Sequence, residues 1–123
     1  GKVISRSGNR VVPDNDPTAH AEVSAIRAAA SFLKTFDLSD CVIYSSCEPC
    51  PMCLAAIYWS GIKRIVYSAD RHGAAAAGFS DELIYREIMA DPEHRLVTMD
   101  RGLVSEGDEV FNKWIKYPLK VRY

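Results

Sequence analysis

Apolar residues recur at intervals of three and four through Ala19–Phe36, which is the spacing of one face of an α-helix. The residues of this face are Val23, Ile26, Ala30 and Leu33. Immediately before them, Asp16–Thr18 supplies the acidic, proline and hydroxyl residues that commonly begin a helix. The pattern predicts a helix over this segment, the most clearly marked element of the chain.

Short apolar runs alternate with further helical patterns along the rest of the chain. The runs typical of buried strands are Cys41–Ser46, Arg64–Ser68 and Arg95–Asp100. The helical patterns are Pro51–Gly61, Ala74–Gly78, Asp81–Ala90 and Asp108–Tyr117. Near the start, two apolar pairs flank the turn-like Ser7–Asn9, a pattern typical of a hairpin at a sheet edge. Strands that alternate with helices predict an α/β fold with a partly parallel sheet.

Length and composition limit the organisation of the chain. It has 123 residues, 48% of them hydrophobic, which suits a single domain with a real core. The 15 basic and 16 acidic residues nearly balance, and no basic stripe marks a phosphate-binding surface, so a nucleic acid is not the expected partner. No segment reaches the roughly 20 apolar residues of a membrane span, and Gly1–Arg10 lacks a secretory signal. We therefore expect a soluble, cytoplasmic protein.

Three of the four cysteines lie within the seven-residue segment Cys47–Cys53. This clustering favours metal binding or thiolate chemistry over a disulfide framework. Cys50 and Cys53 lie three residues apart at a predicted helix start, where they share one face and where thiolates are favoured. A catalytic zinc site takes a third protein ligand and leaves a position for water, and His20 is the candidate ligand. Glu22, two residues further on, is placed to move the proton of that water.

Different interpretations of these residues stay open at this point. A C-x-x-C motif between a strand and a helix is also typical of a thioredoxin-like redox pair. The three clustered cysteines are spaced like the beginning of an iron–sulfur motif, but the further cysteine of that motif is absent. A structural zinc site would take Cys47 as its fourth ligand. In the catalytic interpretation Cys47 is not a ligand, Cys41 packs in the core, and His72 and His94 have no role.

Both halves of the zinc deaminase signature are present, H-x-E in "HAE" and P-C-x-x-C in "PCPMC". The segments "NDPTAHAEV", "SCEPCPMCLAAIYW" and "AGFSDELIY" resemble the cytidine and deoxycytidylate deaminase superfamily, most closely its bacterial guanine deaminase branch. The resemblance implies a cytidine-deaminase-like three-layer α/β/α sandwich with a mixed central sheet. It also implies zinc held by His20, Cys50 and Cys53, with Glu22 as the proton shuttle, in a single domain over residues 1–123 that lacks the family's N-terminal helix and part of its first strand.

The same resemblance implies which residues contact the substrate. They are Asn9, Ala21, Trp59, Asp81 and Tyr123. In the family, the matching asparagine contacts the base, the carboxylate holds the purine and the tryptophan lines the pocket. Tyr123 belongs to the tail Tyr117–Tyr123, which in the family closes the site, often from the neighbouring subunit of a domain-swapped homodimer. Without the resemblance, Asn9 is typical of a turn, Asp81 of a helix cap and Trp59 of a core.

From this resemblance we expect zinc-dependent hydrolytic deamination of a purine base, with guanine converted to xanthine and ammonia. A tRNA adenosine deaminase is the second hypothesis, because that enzyme shares "PTAHAE" and P-C-x-x-C with this chain. A tRNA enzyme needs a basic surface beside its pocket, and the mixed charge of Asp108–Tyr117 argues against it. The motifs would also suit a deaminase of a nucleoside, cytosine or an amino-triazine, or a structural zinc module in which Glu22 is incidental.

Overall fold

Two parallel strands and the helices beside them form the part of the chain that carries the sequence motifs. The computed structural model describes residues 1–123 and divides into two compact units, Gly1–Arg86 and Glu87–Tyr123. The elements in chain order are α1 (Val11–Asp14), α2 (Ala21–Leu33), β1 (Val42–Cys47), α3 (Pro51–Trp59), β2 (Arg64–Ala69), α4 (Arg71–Ala76), α5 (Asp81–Met89), a 3₁₀ turn (Pro92–His94) and α6 (Val104–Lys116). None of these helices is both long and apolar enough to span a membrane.

Strand β1 pairs in parallel with β2, with Ile43 opposite Ile65 and Cys47 opposite Ala69. Helix α3 connects the two strands, as parallel neighbours need a crossover. The pairing continues one residue past β1, because the Glu48 N–H donates to the Ala69 carbonyl at 2.7 Å. The predicted α/β class is confirmed, and the carboxyl ends of both strands lie at the same edge of a small sheet.

The core of the first unit lies where helices α2 and α3 pack with β1. Its buried residues are Ala29, Leu38, Ile43, Ile57 and Ile62. Cys41 packs against this cluster, as predicted for a core cysteine. A second buried cluster joins Val23 of α2 to Cys50 and Cys53 at the start of α3. The two helices are thus held together at the point where the predicted zinc ligands lie.

The predicted hairpin near the chain start is wrong. Residues 1–10 form no strand, and α1 begins at Val11. The segment is held by bonds outside any sheet: the Ser5 hydroxyl donates to the Ala25 carbonyl at 2.9 Å, and the Arg10 N–H donates to the Ala19 carbonyl at 2.9 Å. These bonds tie the segment to α2 and the loop before it, so its apolar pairs do not mark strands.

The predicted strand Arg95–Asp100 is also wrong. The Leu96 N–H, which a strand would use in its ladder, donates instead to the Glu87 carboxylate at 2.7 Å. The Arg95 guanidinium donates to the carbonyls of Ala90 and Ile88. These contacts hold the segment against the end of α5, and its apolar side chains stay exposed. The apolar run therefore reflects neither burial nor pairing.

Two helices begin earlier than the apolar pattern predicts. Helix α4 starts at Arg71 rather than Ala74, because Asp70 caps it by accepting the Gly73 N–H at 2.8 Å. Helix α6 starts at Val104 rather than Asp108. In both cases the helix includes a preceding segment that the apolar periodicity does not register.

Candidate metal centre and active site

Three side chains with metal-binding atoms converge in the first unit. The Nδ1 atom of His20 lies 3.5 Å from the sulfur of Cys50 and 3.5 Å from that of Cys53, and all three donor atoms lie within 4.8 Å of one another. A tetrahedral zinc ion with ordinary Zn–S and Zn–N bonds separates such a sulfur and nitrogen by about 3.6 Å. The donor set and its spacing therefore fit zinc, with three protein ligands and one open position.

Two helix starts bring these donors together. His20 is the N-cap residue of α2 but makes no capping hydrogen bond with its side chain, so its ring is available to the cysteines. Cys50 is the N-cap residue of α3, where its sulfur accepts the Cys53 N–H at 3.5 Å. Pro51 follows at the first helical position, where no N–H is needed. Both helix N-termini direct their partial positive charge toward the site, which favours thiolates and other anions.

The two cysteines of this group share their ionisation. A hydrogen bond from the Cys53 thiol lowers the pKa of Cys50 to about 6, and the same bond raises the pKa of Cys53. Without a metal, the two sulfurs thus hold one proton between them. Because zinc binds thiolates, metal binding releases that proton.

Glu22 lies beside the metal-binding group without belonging to it. Its Oε1 atom accepts the Ser45 hydroxyl at 2.9 Å, and its Oε2 atom lies 3.5 Å from the Cys53 sulfur. Sequence reasoning missed Ser45, because nothing in the run Cys41–Ser46 distinguishes it from the neighbouring Ser46. The carboxylate is partly buried and its Oε1 atom is fixed by Ser45, as a group that moves protons beside a metal requires.

A second polar cluster supports the backbone before Cys50, and no sequence motif points to it. The Arg71 guanidinium donates to Glu48 Oε1 from Nη2 at 2.5 Å and from Nε at 3.1 Å. The Arg71 N–H donates to Glu48 Oε2 at 3.0 Å, and these bonds lower the pKa of Glu48. The guanidinium carbon lies 4.0 Å above the Tyr85 ring. Tyr85 in turn donates its hydroxyl to the Pro49 carbonyl at 2.9 Å.

Cys47 stands apart from the metal-binding group. Its sulfur lies 3.7 Å from the Asp70 carbonyl oxygen, and burial raises the pKa of its thiol, with smaller contributions from the charges of Asp81 and Glu22. The donor atoms that lie within 4.8 Å of one another do not include this sulfur. The structure therefore groups three donors rather than the four of a structural site.

The residues predicted to contact substrate are spread over both units. Asn9 is exposed and accepts the Val11 N–H through Oδ1 at 3.0 Å. Ala21 is the first residue of α2, next to His20. Asp81 begins α5 and is partly exposed. Trp59 ends α3 and is 67% exposed, and Tyr123 ends the second unit and is 80% exposed. The charge of Asp81 adds to burial in raising the pKa of Cys47. The contacts of all five residues with substrate stay predictions.

Comparison with known proteins agrees with this geometry. The sequence pattern of the cytidine and deoxycytidylate deaminase zinc-binding region matches residues 1–69. Guanine deaminase of Bacillus subtilis is 45% identical over all 123 residues, which span 79% of that protein. Its crystal structure superposes with a TM-score of 0.95, covering 100% of this chain and 78% of that one. A tRNA-specific adenosine deaminase of Aquifex aeolicus is 40% identical over 120 residues, 94% of this chain and 74% of that protein. The chain therefore belongs to the cytidine and deoxycytidylate deaminase family of zinc-dependent aminohydrolases.

Proposed function

We propose that the protein hydrolyses guanine to xanthine and ammonia. The observation that carries this proposal is the grouping of His20, Cys50 and Cys53, with the His20 nitrogen 3.5 Å from both sulfurs and a carboxylate beside them. The likeness to the Bacillus guanine deaminase extends over the whole chain and supports guanine over other amino-bearing bases.

In this proposal His20, Cys50 and Cys53 hold the zinc ion. Zinc, when bound, supplies a Lewis acid that makes water nucleophilic near neutral pH. Glu22 accepts a proton from the attacking water and delivers it to the departing nitrogen, while Ser45 keeps the carboxylate oriented. A C–O bond forms at C2 of guanine, the exocyclic C2–N bond breaks, and the amino group leaves as ammonia with one proton of the water. The other proton of the water ends on ring N3 as the C2 carbonyl of xanthine forms.

The proposed substrate contacts follow from the chemistry of the side chains. The amide nitrogen of Asn9 is a donor for a purine ring edge, because the hydrogen bond within its own turn uses only the amide oxygen. Asp81 accepts ring N–H groups of guanine, and Ala21 lies beside His20 at the base of the site. Trp59 and Tyr123 supply aromatic rings for contact with the base.

We also propose a cytoplasmic homodimer, with the tail Tyr117–Tyr123 exchanged between subunits. Helix α6 of the second unit supports an interface, because it leaves several large apolar side chains exposed. These are Val110, Phe111, Trp114 and Ile115. All four cysteines are free, which suits a compartment that keeps thiols reduced. Light scattering of the zinc-loaded protein at micromolar concentration distinguishes a dimer from a monomer, and a monomer would contradict the assembly.

Ammonia release from the zinc-loaded protein tests the activity. Guanine, guanosine, adenine, cytosine, cytidine and a tRNA anticodon stem are offered in parallel. We expect turnover of guanine, and turnover of the tRNA alone would overturn the substrate while leaving the zinc chemistry in place. If a protein that holds zinc released no ammonia from any of the six substrates, a structural zinc module would be favoured.

A further inference from the structure

The hydroxyl of Tyr85 connects α5 to the backbone beside a proposed zinc ligand. It donates to the Pro49 carbonyl at 2.9 Å, and Pro49 is buried and immediately precedes Cys50. Because Cys50 caps α3, the Pro49 carbonyl cannot shift without disturbing that cap. The bond therefore fixes α5 relative to the cysteine end of the site.

Asp81 lies one helical turn before Tyr85 on the same helix. Residues four apart on an α-helix share a face, so both side chains lie on the same side of α5. Burial is the main cause of the raised pKa of both Tyr85 and Cys47, and the charge of Asp81 adds to it in each case. Any shift of α5 along or away from Pro49 moves Asp81 relative to the metal-binding group.

Arg71 keeps the Tyr85 ring in this position. Its guanidinium stacks over the ring at 4.0 Å and at the same time holds Glu48, the residue before Pro49. One cation thus fixes both the donor ring and the backbone that accepts its hydrogen bond. This arrangement orders the side chain of Tyr85 before any substrate binds, which is what a positioning role requires.

We propose that Tyr85 is a positioning residue that sets the place of Asp81 and thereby the affinity of the site for its base. This inference rests on the proposed function, in which Asp81 holds the ring of guanine. Asp81 contacts the base in the substrate complex and in the transition state alike, so misplacing it raises KM and leaves kcat nearly unchanged. The Tyr85→Phe variant removes only the hydroxyl and keeps the ring under Arg71.

The test measures ammonia release from guanine by zinc-loaded wild type, Tyr85→Phe, Asp81→Asn and the double variant. Tyr58→Phe is the matched control, since Tyr58 lies on α3 and is 77% exposed. We expect Tyr85→Phe to raise KM roughly 3- to 10-fold. This is about the change in an equilibrium constant that follows the loss of one net hydrogen bond. In the Asp81→Asn background the same change has no further effect on KM, because the two residues act as a unit. Zinc content and kcat stay within about twofold of wild type.

Two results would overturn the inference while guanine turnover still supports the proposed function. One is an unchanged KM in Tyr85→Phe with zinc content, kcat and thermal stability at the wild-type level. The other is a loss of zinc, kcat and thermal stability together with an unchanged KM, which would make Tyr85 only a structural support of Cys50. If wild type turns over a different base, the same four proteins are compared on that base with the same criteria. A wild type that turns over no base overturns both proposals, because Asp81 then has no substrate to hold.

Discussion

The Ser45 hydroxyl donates a hydrogen bond of 2.9 Å to the Oε1 atom of Glu22. Ser45 lies on β1 and Glu22 in the first turn of α2, so the bond joins two elements of the core. The other carboxylate oxygen lies 3.5 Å from the Cys53 sulfur. Because Ser45 fixes Oε1, the carboxylate keeps one orientation toward the metal-binding group. Proton transfer requires this, because its efficiency depends on close alignment.

Replacing Ser45 by alanine should lower kcat and leave zinc in place. A hydrogen bond to a charged group contributes about 1.5–3 kcal/mol, so we expect a fall in kcat of roughly 10-fold or more. Ser45→Thr keeps the hydroxyl and should restore most of the activity. Ser46→Ala is the control, since Ser46 is the exposed neighbour on the same strand. Equal activity of the two alanine variants would contradict a role for Ser45 in orienting Glu22.

Replacing Glu22 by glutamine should abolish most of the turnover without unfolding the protein. The amide occupies the same space but cannot take up a proton, and a general acid–base group contributes about 10² to 10⁴ in rate. Zinc content, measured by atomic absorption, should equal that of wild type, because Glu22 lies outside the donor group. Wild-type turnover in this variant would remove Glu22 from the mechanism.

The elements that the sequence predicts well are those set by local chemistry. The parallel strands follow from continuous apolar runs, and α2 follows from its apolar face and capping residues. The predicted strand Arg95–Asp100 fails because Glu87 takes up its Leu96 N–H, a contact between side chain and backbone that no periodicity reports. The hairpin at the chain start fails for a similar reason, since Ser5 is bonded to α2.

The donor atoms of the metal site could be predicted because they lie in two short motifs with a known chemistry. His20 and the cysteine pair come together as expected, and family membership is confirmed. The supporting residues could not be predicted, because their contacts join distant parts of the chain. Ser45 lies 23 residues from Glu22, and Tyr85 lies 36 residues from Pro49. Only the folded arrangement of β1, α2 and α5 brings such pairs within hydrogen-bond distance.

Replacing Cys47 by serine should leave one zinc ion per chain. Cys47 lies outside the group of three donors, and burial raises the pKa of its thiol above the ordinary value of 9.0. A raised pKa favours the protonated thiol, so alkylation of Cys47 by iodoacetamide in the zinc-loaded protein should become fast only above pH 9.0. Mass spectrometry of the labelled peptide over a pH series measures this. Loss of zinc in Cys47→Ser would instead identify a four-ligand structural site.

Replacing Cys53 by alanine should remove zinc and lower stability together. Cys53 is fully buried, and a metal that binds only the folded state adds its binding free energy to folding, about 4 kcal/mol at a thousandfold excess over Kd. A strong chelator should lower the melting temperature of wild type and leave that of Cys53→Ala unchanged. Cys41→Ala separates the two effects, because Cys41 packs against the core away from the donor group. That control should lose some stability to the cavity but keep its zinc and its response to the chelator. If Cys53→Ala kept full zinc and activity, the proposed ligand set would be wrong.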